Sequence, residues 1–91
     1  MTYLLSQEAE DDIVRIYRLG FMNFGEAQAD KYFEALFNCF ERIGENPYQF
    51  PQASHIRQSY HYCVCGSDTI YFKLTTDEIP EIIRIIGRQE F

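Results

Sequence analysis

Apolar residues near the start of the chain fall at helical intervals: Ala9, Ile13, Ile16 and Tyr17 recur every three or four positions. Ser6 stands just ahead as a helix N-cap. Glu8, Glu10, Asp11 and Asp12 crowd the first turns, where the positive end of the helix dipole stabilises carboxylates. A first helix is predicted over residues 7–19, with Gly20 and the 23–25 segment as stop signals, and the short apolar run 2–5 before it reads as a strand. The second helix is the clearest element. Ala29, Tyr32, Phe33, Leu36, Phe37, Phe40 and Ile43 form one wide apolar face, and Asp30, Glu34, Asn38, Glu41 and Glu45 take the other positions. Gly44 and Asn46-Pro47 end it, because proline disfavours helical geometry in the residue before it. Two helices joined by a short connection form an antiparallel hairpin.

After a loop over 47–53 the period changes from about 3.6 to 2. Residues 59–65 alternate, with Tyr60, Tyr62 and Val64 on one side and His61, Cys63 and Cys65 on the other. Gly66-Ser67-Asp68 is a turn cluster, and 69–75 is a β-branched and aromatic run. Thr76-Asp77-Glu78 turns the chain again into a strand over 82–88. The predicted order is β-α-α-β-β-β. This is an α+β fold, with an antiparallel sheet packed against the helix hairpin. Parity places Ile70, Phe72, Leu74, Ile83 and Ile85 against the helices. Tyr71, Lys73, Ile82, Arg84, Ile86 and Arg88 then fall on the opposite face. Such a mixed aromatic, cationic and aliphatic surface suits a peptide or protein partner, or stacked RNA.

Composition narrows these options. Ninety-one residues support one domain, 1–91, and 46% hydrophobic content is enough for a single core. Fourteen acidic residues against eight basic ones give a net charge of −6, adverse to phosphate binding. The charge is uneven. Residues 1–46 carry nine acidic and four basic groups, and residues 47–91 carry five and four, so the acidity belongs to the helix hairpin. Arg57, Lys73, Arg84 and Arg88 all fall on or beside the predicted strands. No apolar stretch approaches the roughly 20 residues of a membrane span, and the first residues do not resemble a signal peptide. Three cysteines cannot form a complete disulfide framework, which suits a reducing, cytoplasmic setting.

Catalytic and metal-binding patterns are weak. His61, Cys63 and Cys65 share a strand face, with His55 or Cys39 as a further soft ligand, but Cys-x-Cys on a straight strand spreads its sulfurs about 7 Å apart. These thiols read as structural, with no metal or other cofactor. The neighbouring carboxylates Asp11 and Asp12 diverge on a helix, and Asp77 and Glu78 lie in a turn. The phosphate-loop, dinucleotide and nucleophile-elbow motifs do not occur. The residue inventory points to a non-enzyme.

Several short stretches together resemble the RelE/ParE superfamily of bacterial toxins, on the ParE side. They are Tyr3-x-Leu5-Ser6-x-x-Ala9-x-x-Asp12-Ile13-x-x-Ile16, then Gly25, Ala29-x-x-Tyr32, Leu36, Phe40 and Asn46-Pro47. Ile56-Arg57, Gly66-Ser67, Ile70-Tyr71-Phe72 and Ile83-Arg84-Ile85-Ile86-x-Arg88 complete the match. The resemblance implies the toxin of a type II toxin–antitoxin module, neutralised by a cognate antitoxin that folds across it. ParE-type members are similar to one another in poisoning DNA gyrase, whereas RelE-type members cleave mRNA on the ribosome. A third reading is a degenerate toxin that serves only as antitoxin partner or co-repressor. The acidity favours the gyrase branch, since ribosome docking and RNA cleavage call for a basic surface and an acid–base pair. The family often places a histidine before the terminal arginine of the last strand. Here that position is Gly87, which removes a terminal proton carrier. The candidate residues for antitoxin or target binding are Arg57, Tyr71, Lys73, Ile82, Arg84, Ile86 and Arg88, with the Phe33/Phe37 side of the second helix as a further docking surface.

Overall fold

The computed structural model describes residues 2–87. Along them run β1 (Leu4–Leu5), α1 (Gln7–Phe24), α2 (Glu26–Glu45), one 3-10 turn (Pro47–Gln49), β2 (Tyr60–Cys65), β3 (Asp68–Leu74) and β4 (Pro80–Gly87). The strands lie in the order β1-β4-β3-β2. The two tight links make β2–β3 and β3–β4 antiparallel, as predicted. β1 joins β4 in parallel, so the sheet is mixed rather than wholly antiparallel. The helix hairpin between β1 and the later strands leaves β1 free to enter in either direction.

Helix α1 runs through Gly20 to Phe24, past the predicted stop. Gly20 sits against Ala29, where a β-carbon would lie 3.7 Å from the Ala29 side chain, so it marks a close approach of the two helices. The actual break is Gly25, at φ +90°, which ends one helix and starts the next. Its N–H bonds to the Phe21 carbonyl and its own carbonyl accepts from Ala29 N.

The hairpin covers one face of the sheet. Leu36, Phe40 and Ile43 from α2 meet Ile70 and Phe72 of β3 and Ile82 and Ile85 of β4, all fully buried. Cys39, Cys63 and Cys65 complete this core between α2 and β2. Ile82 therefore belongs to the core and not to the opposite face. The cause is a β-bulge: Tyr71 pairs with Arg84 but Phe72 pairs with Ile82, leaving Ile83 as an extra residue. Parity flips across it, so Ile82 and Ile85 both point inward, while Ile83 is only half-buried.

β1 is too short to cover the edge of β4, and α1 completes the task with side chains. Ser6 caps α1 by accepting from Ala9 N, while its hydroxyl donates to the Ile83 carbonyl at 2.8 Å. One turn on, the Asp12 carboxylate accepts the Ile85 N–H at 2.8 Å, and Arg15 donates to the Ile85 carbonyl at 3.0 Å. Three side chains thus satisfy backbone groups that a longer neighbouring strand would have paired. Among the described residues, no helix is long and apolar enough to cross a membrane.

Candidate functional site

Asp12 is 5% exposed and gathers the ionic contacts of this edge. Arg84 grips it through two bonds, Nε to Oδ2 at 2.8 Å and a terminal nitrogen to Oδ1 at 3.2 Å, and Arg15 approaches at 3.5 Å. Burial pushes the carboxyl up. The Arg84 guanidinium, the Ile85 N–H and the charge of Arg15 outweigh it and hold Asp12 below the usual carboxylate value. Sequence reasoning set Asp12 aside as one of several helix-start carboxylates. Its position on the buried stripe Ala9, Ile13, Ile16 was the available signal.

The sheet face away from the helices is arranged in cross-strand rows. Tyr60, Lys73 and Glu81 form one row, Tyr62, Tyr71 and Arg84 the next, and Val64, Thr69 and Ile86 the third. Of the predicted site residues, Tyr71, Lys73, Arg84 and Ile86 are thus brought together. Tyr71 is buried at the centre and Lys73 and Ile86 are half-buried. Arg84 is committed to Asp12. Ile82 lies on the other side of the sheet, and Arg57 is exposed in the turn before β2. Arg88 lies outside the described residues.

A second surface lies on the helix hairpin. Met22 and Phe24 are each 73% exposed, and Val14, Leu19, Phe21 and Phe33 also reach solvent. Val14, Tyr17, Arg18, Phe21 and Phe33 line a shallow hollow of about 400 Å³. Its aromatic wall continues inward: Phe33 packs on Phe37 at 4.8 Å, and Phe37 packs on the buried Phe40 at 5.0 Å. Tyr17 stands edge-on to Phe33 and donates to Asp30 at 2.6 Å, which fixes both helices at this point. The Phe33 side of α2 is exposed as the docking reading requires. Phe21 and Met22 lie beyond the predicted end of the helix, whereas Val14 falls within it on a face that the apolar stripe Ala9, Ile13 and Ile16 leaves outside the core.

Beside this surface a larger groove, about 800 Å³, opens between the two helices, the β2–β3 turn and Gly87. The turn is built by Gly66 at φ +59°, closed by the pairing of Cys65 with Asp68. Tyr32 of α2 lies directly against Gly66, where a β-carbon would come within 2.7 Å of its ring. The Tyr32 hydroxyl sits 2.5 Å from an Asp68 oxygen and 2.8 Å from the Cys65 carbonyl. Burial and the Asp68 carboxylate together drive the Tyr32 phenol far above its ordinary pKa, so it remains a donor.

Neither surface assembles an acid–base pair. His61 packs flat on Phe72, with Nδ1 3.2 Å from the Phe50 carbonyl, and His55 is exposed in the loop before β2. Burial, reinforced by Cys39, pushes the Cys63 thiol up to about 11 and Cys65 to about 12, so both are protonated at neutral pH and poor nucleophiles. Among the described residues, no group of three His, Cys, Asp or Glu side chains is placed to hold a metal ion.

Comparison with known proteins agrees along the whole length. The family profile described as ParE toxin of type II toxin-antitoxin system, parDE, matches residues 3–90. The chain is 26% identical to Toxin ParE1 of Mycobacterium tuberculosis (strain CDC 1551 / Oshkosh) over 87 residues, 96% of this chain and 89% of that protein. It is 29% identical to Toxin ParE1 of Caulobacter vibrioides (strain ATCC 19089 / CIP 103742 / CB 15) over 84 residues, 92% of this chain and 85% of the relative. A solved structure titled chromosomal ParDE TA system from P. aeruginosa shares the fold, with a TM-score of 0.83, 15% identity, and coverage of 96% and 95% of the two chains. The chain belongs to the ParE toxin family of type II toxin–antitoxin systems.

Proposed function

We propose that this chain is a toxin restrained by a cognate antitoxin and that, once released, it inhibits DNA gyrase in the cytoplasm by protein–protein contact, without catalysing a reaction itself. The observation that carries this reading is the apolar surface of Val14, Phe21, Met22, Phe24 and Phe33 on the helix hairpin. Exposed apolar area of this extent marks a protein interface, and a segment that folds on binding suits it. The row of Tyr71 and Arg84, with Lys73, Ile86 and the exposed Arg57 around it, is a second contact surface, for antitoxin or for target. The ribonuclease reading is less well supported: Arg84, a cation it would use on phosphate, is held by Asp12.

Two measurements test the proposal. Expressed without the antitoxin encoded beside it, the chain should arrest growth and induce an SOS response while transcripts stay intact. Purified chain should block supercoiling by gyrase, and the antitoxin should relieve the block. Full gyrase activity at large molar excess of the chain would overturn the target. Transcript cleavage on induction would favour the ribonuclease, and normal growth would leave a degenerate partner of the antitoxin.

A further inference from the structure

Asp68 is a largely buried carboxylate that no cation among the described residues pairs with. It is 7% exposed, and its polar contact is the single Tyr32 hydroxyl. Among the described residues no lysine, arginine or histidine is ion-paired with it, whereas the comparably buried Asp12 is held by Arg84, Arg15 and a backbone N–H. A carboxylate screened from water is best satisfied by a cation that also bonds it. The surroundings of Asp68 are the groove between the helices. Asp68 and Ser67 line it together with the apolar Ile16, Ala29 and Leu36 and with Phe24, which is 73% exposed. Arg15 also borders the groove, but it is spent on Asp12 and the Ile85 carbonyl.

We infer that this groove is the seat of one arginine side chain from the partner, whose guanidinium bonds the Asp68 carboxylate beside Tyr32. Three features select guanidinium. The carboxylate is recessed, so the cation must come on a long stem. The walls are largely apolar and favour a weakly hydrated cation over an ammonium, and Tyr32 and Phe24 contribute aromatic rings to the lining, partners of the kind a planar cation prefers. The surrounding hairpin is the acidic half of the chain, so the local field draws a basic side chain inward. The inference rests on the antitoxin reading and gives it a chemistry: an arginine in the antitoxin segment, flanked by apolar residues that cover the neighbouring Phe21–Phe33 hollow.

Butylguanidinium chloride is the probe. Titrated into the full-length chain with nitrogen-15 labelling, it should give saturable amide shifts centred on Tyr32, Gly66, Ser67 and Asp68, at concentrations of about 1–50 mM for so small a ligand. Neutral butyramide and matched sodium chloride should not. Asp68→Asn still accepts from Tyr32 and so preserves the turn, but its affinity for butylguanidinium should fall about tenfold, the effect of losing a charged hydrogen bond. An equal response in Asp68→Asn, or shifts that never saturate, would overturn the inference. The antitoxin supplies the second arm. If it binds the wild-type chain and Asp68→Asn equally, the arginine seat is wrong and the antitoxin reading stands. If it binds neither while butylguanidinium saturates, the antitoxin reading fails and the seat remains.

Discussion

Asp12 and Gly66 are single residues on which larger pieces depend. Replacing Asp12 with alanine leaves the Ile85 N–H and the Arg84 guanidinium without their acceptor. Urea unfolding should show a loss of about 2–3 kcal/mol, while the conservative Asp12→Asn keeps one acceptor and loses less. Because the folded carboxyl is held below its ordinary value, its contribution is complete above the unfolded value of about 4 and drains away as pH falls through the folded one. The acid limb of a stability–pH curve should therefore flatten in Asp12→Asn. The glycines offer a contrast in cause. Gly25→Ala meets open space and suffers only from its backbone, whose φ +90° and ψ 171° are almost confined to glycine, at about 1–3 kcal/mol. Gly66→Ala combines the milder left-handed φ of +59° with a β-carbon 2.7 Å from the Tyr32 ring, so its unfolding midpoint should fall through a clash as well as through the backbone. Both residues have traces in the sequence, since Asp12 interrupts an apolar stripe and Gly66 opens a turn. The partners that make them matter, Ile85 and Tyr32, are distant in the chain and carry no local mark.

The helices and strands were legible from periodicity because each buries one face. Alternation in β2 put Cys63 and Cys65 on one side of the strand, and in the structure that side is the buried one. What periodicity could not reveal was the single extra residue at Ile83, since a bulge leaves the run of apolar residues unchanged and only shifts which of them point inward. Ile82 was misplaced for that reason alone. The end of α1 was misread for another: Gly20 serves helix packing, and glycine is an ambiguous stop. That last turn holds Phe21, Met22 and Phe24, three of the exposed residues on which the proposed partner binding rests. Met22→Ser should change folding stability by less than about 0.5 kcal/mol, since its side chain stands in solvent, and Phe21→Ser, half-exposed beside Tyr17, by about 1 kcal/mol. Together with Phe33→Ser they should weaken antitoxin binding by about a hundredfold or more, measured by calorimetry. Truncating core residues of the same helices, such as Phe40→Ala, should instead lower stability by about 3–5 kcal/mol.

For the whole molecule, charge and topology set the terms. The net charge of −6 should keep the chain off nucleic acid, so a short RNA or DNA duplex should show no mobility shift at physiological salt; a shift there would reopen the ribonuclease reading. The buried thiols should resist alkylation at pH 8 until the protein unfolds, when mass spectrometry should find all three modified. Topology carries a consequence in time. β4 is the last of the described strands to be made, yet it occupies the interior of the sheet, between β1 and β3. During synthesis, β1 waits without a neighbour and Asp12 without its amide until residue 85 has emerged, a separation of 73 positions. A nascent chain shorter than that cannot close its core. Whatever harm the finished protein does is withheld from every incomplete copy, and an antitoxin already in the cell has the whole of translation in which to arrive first.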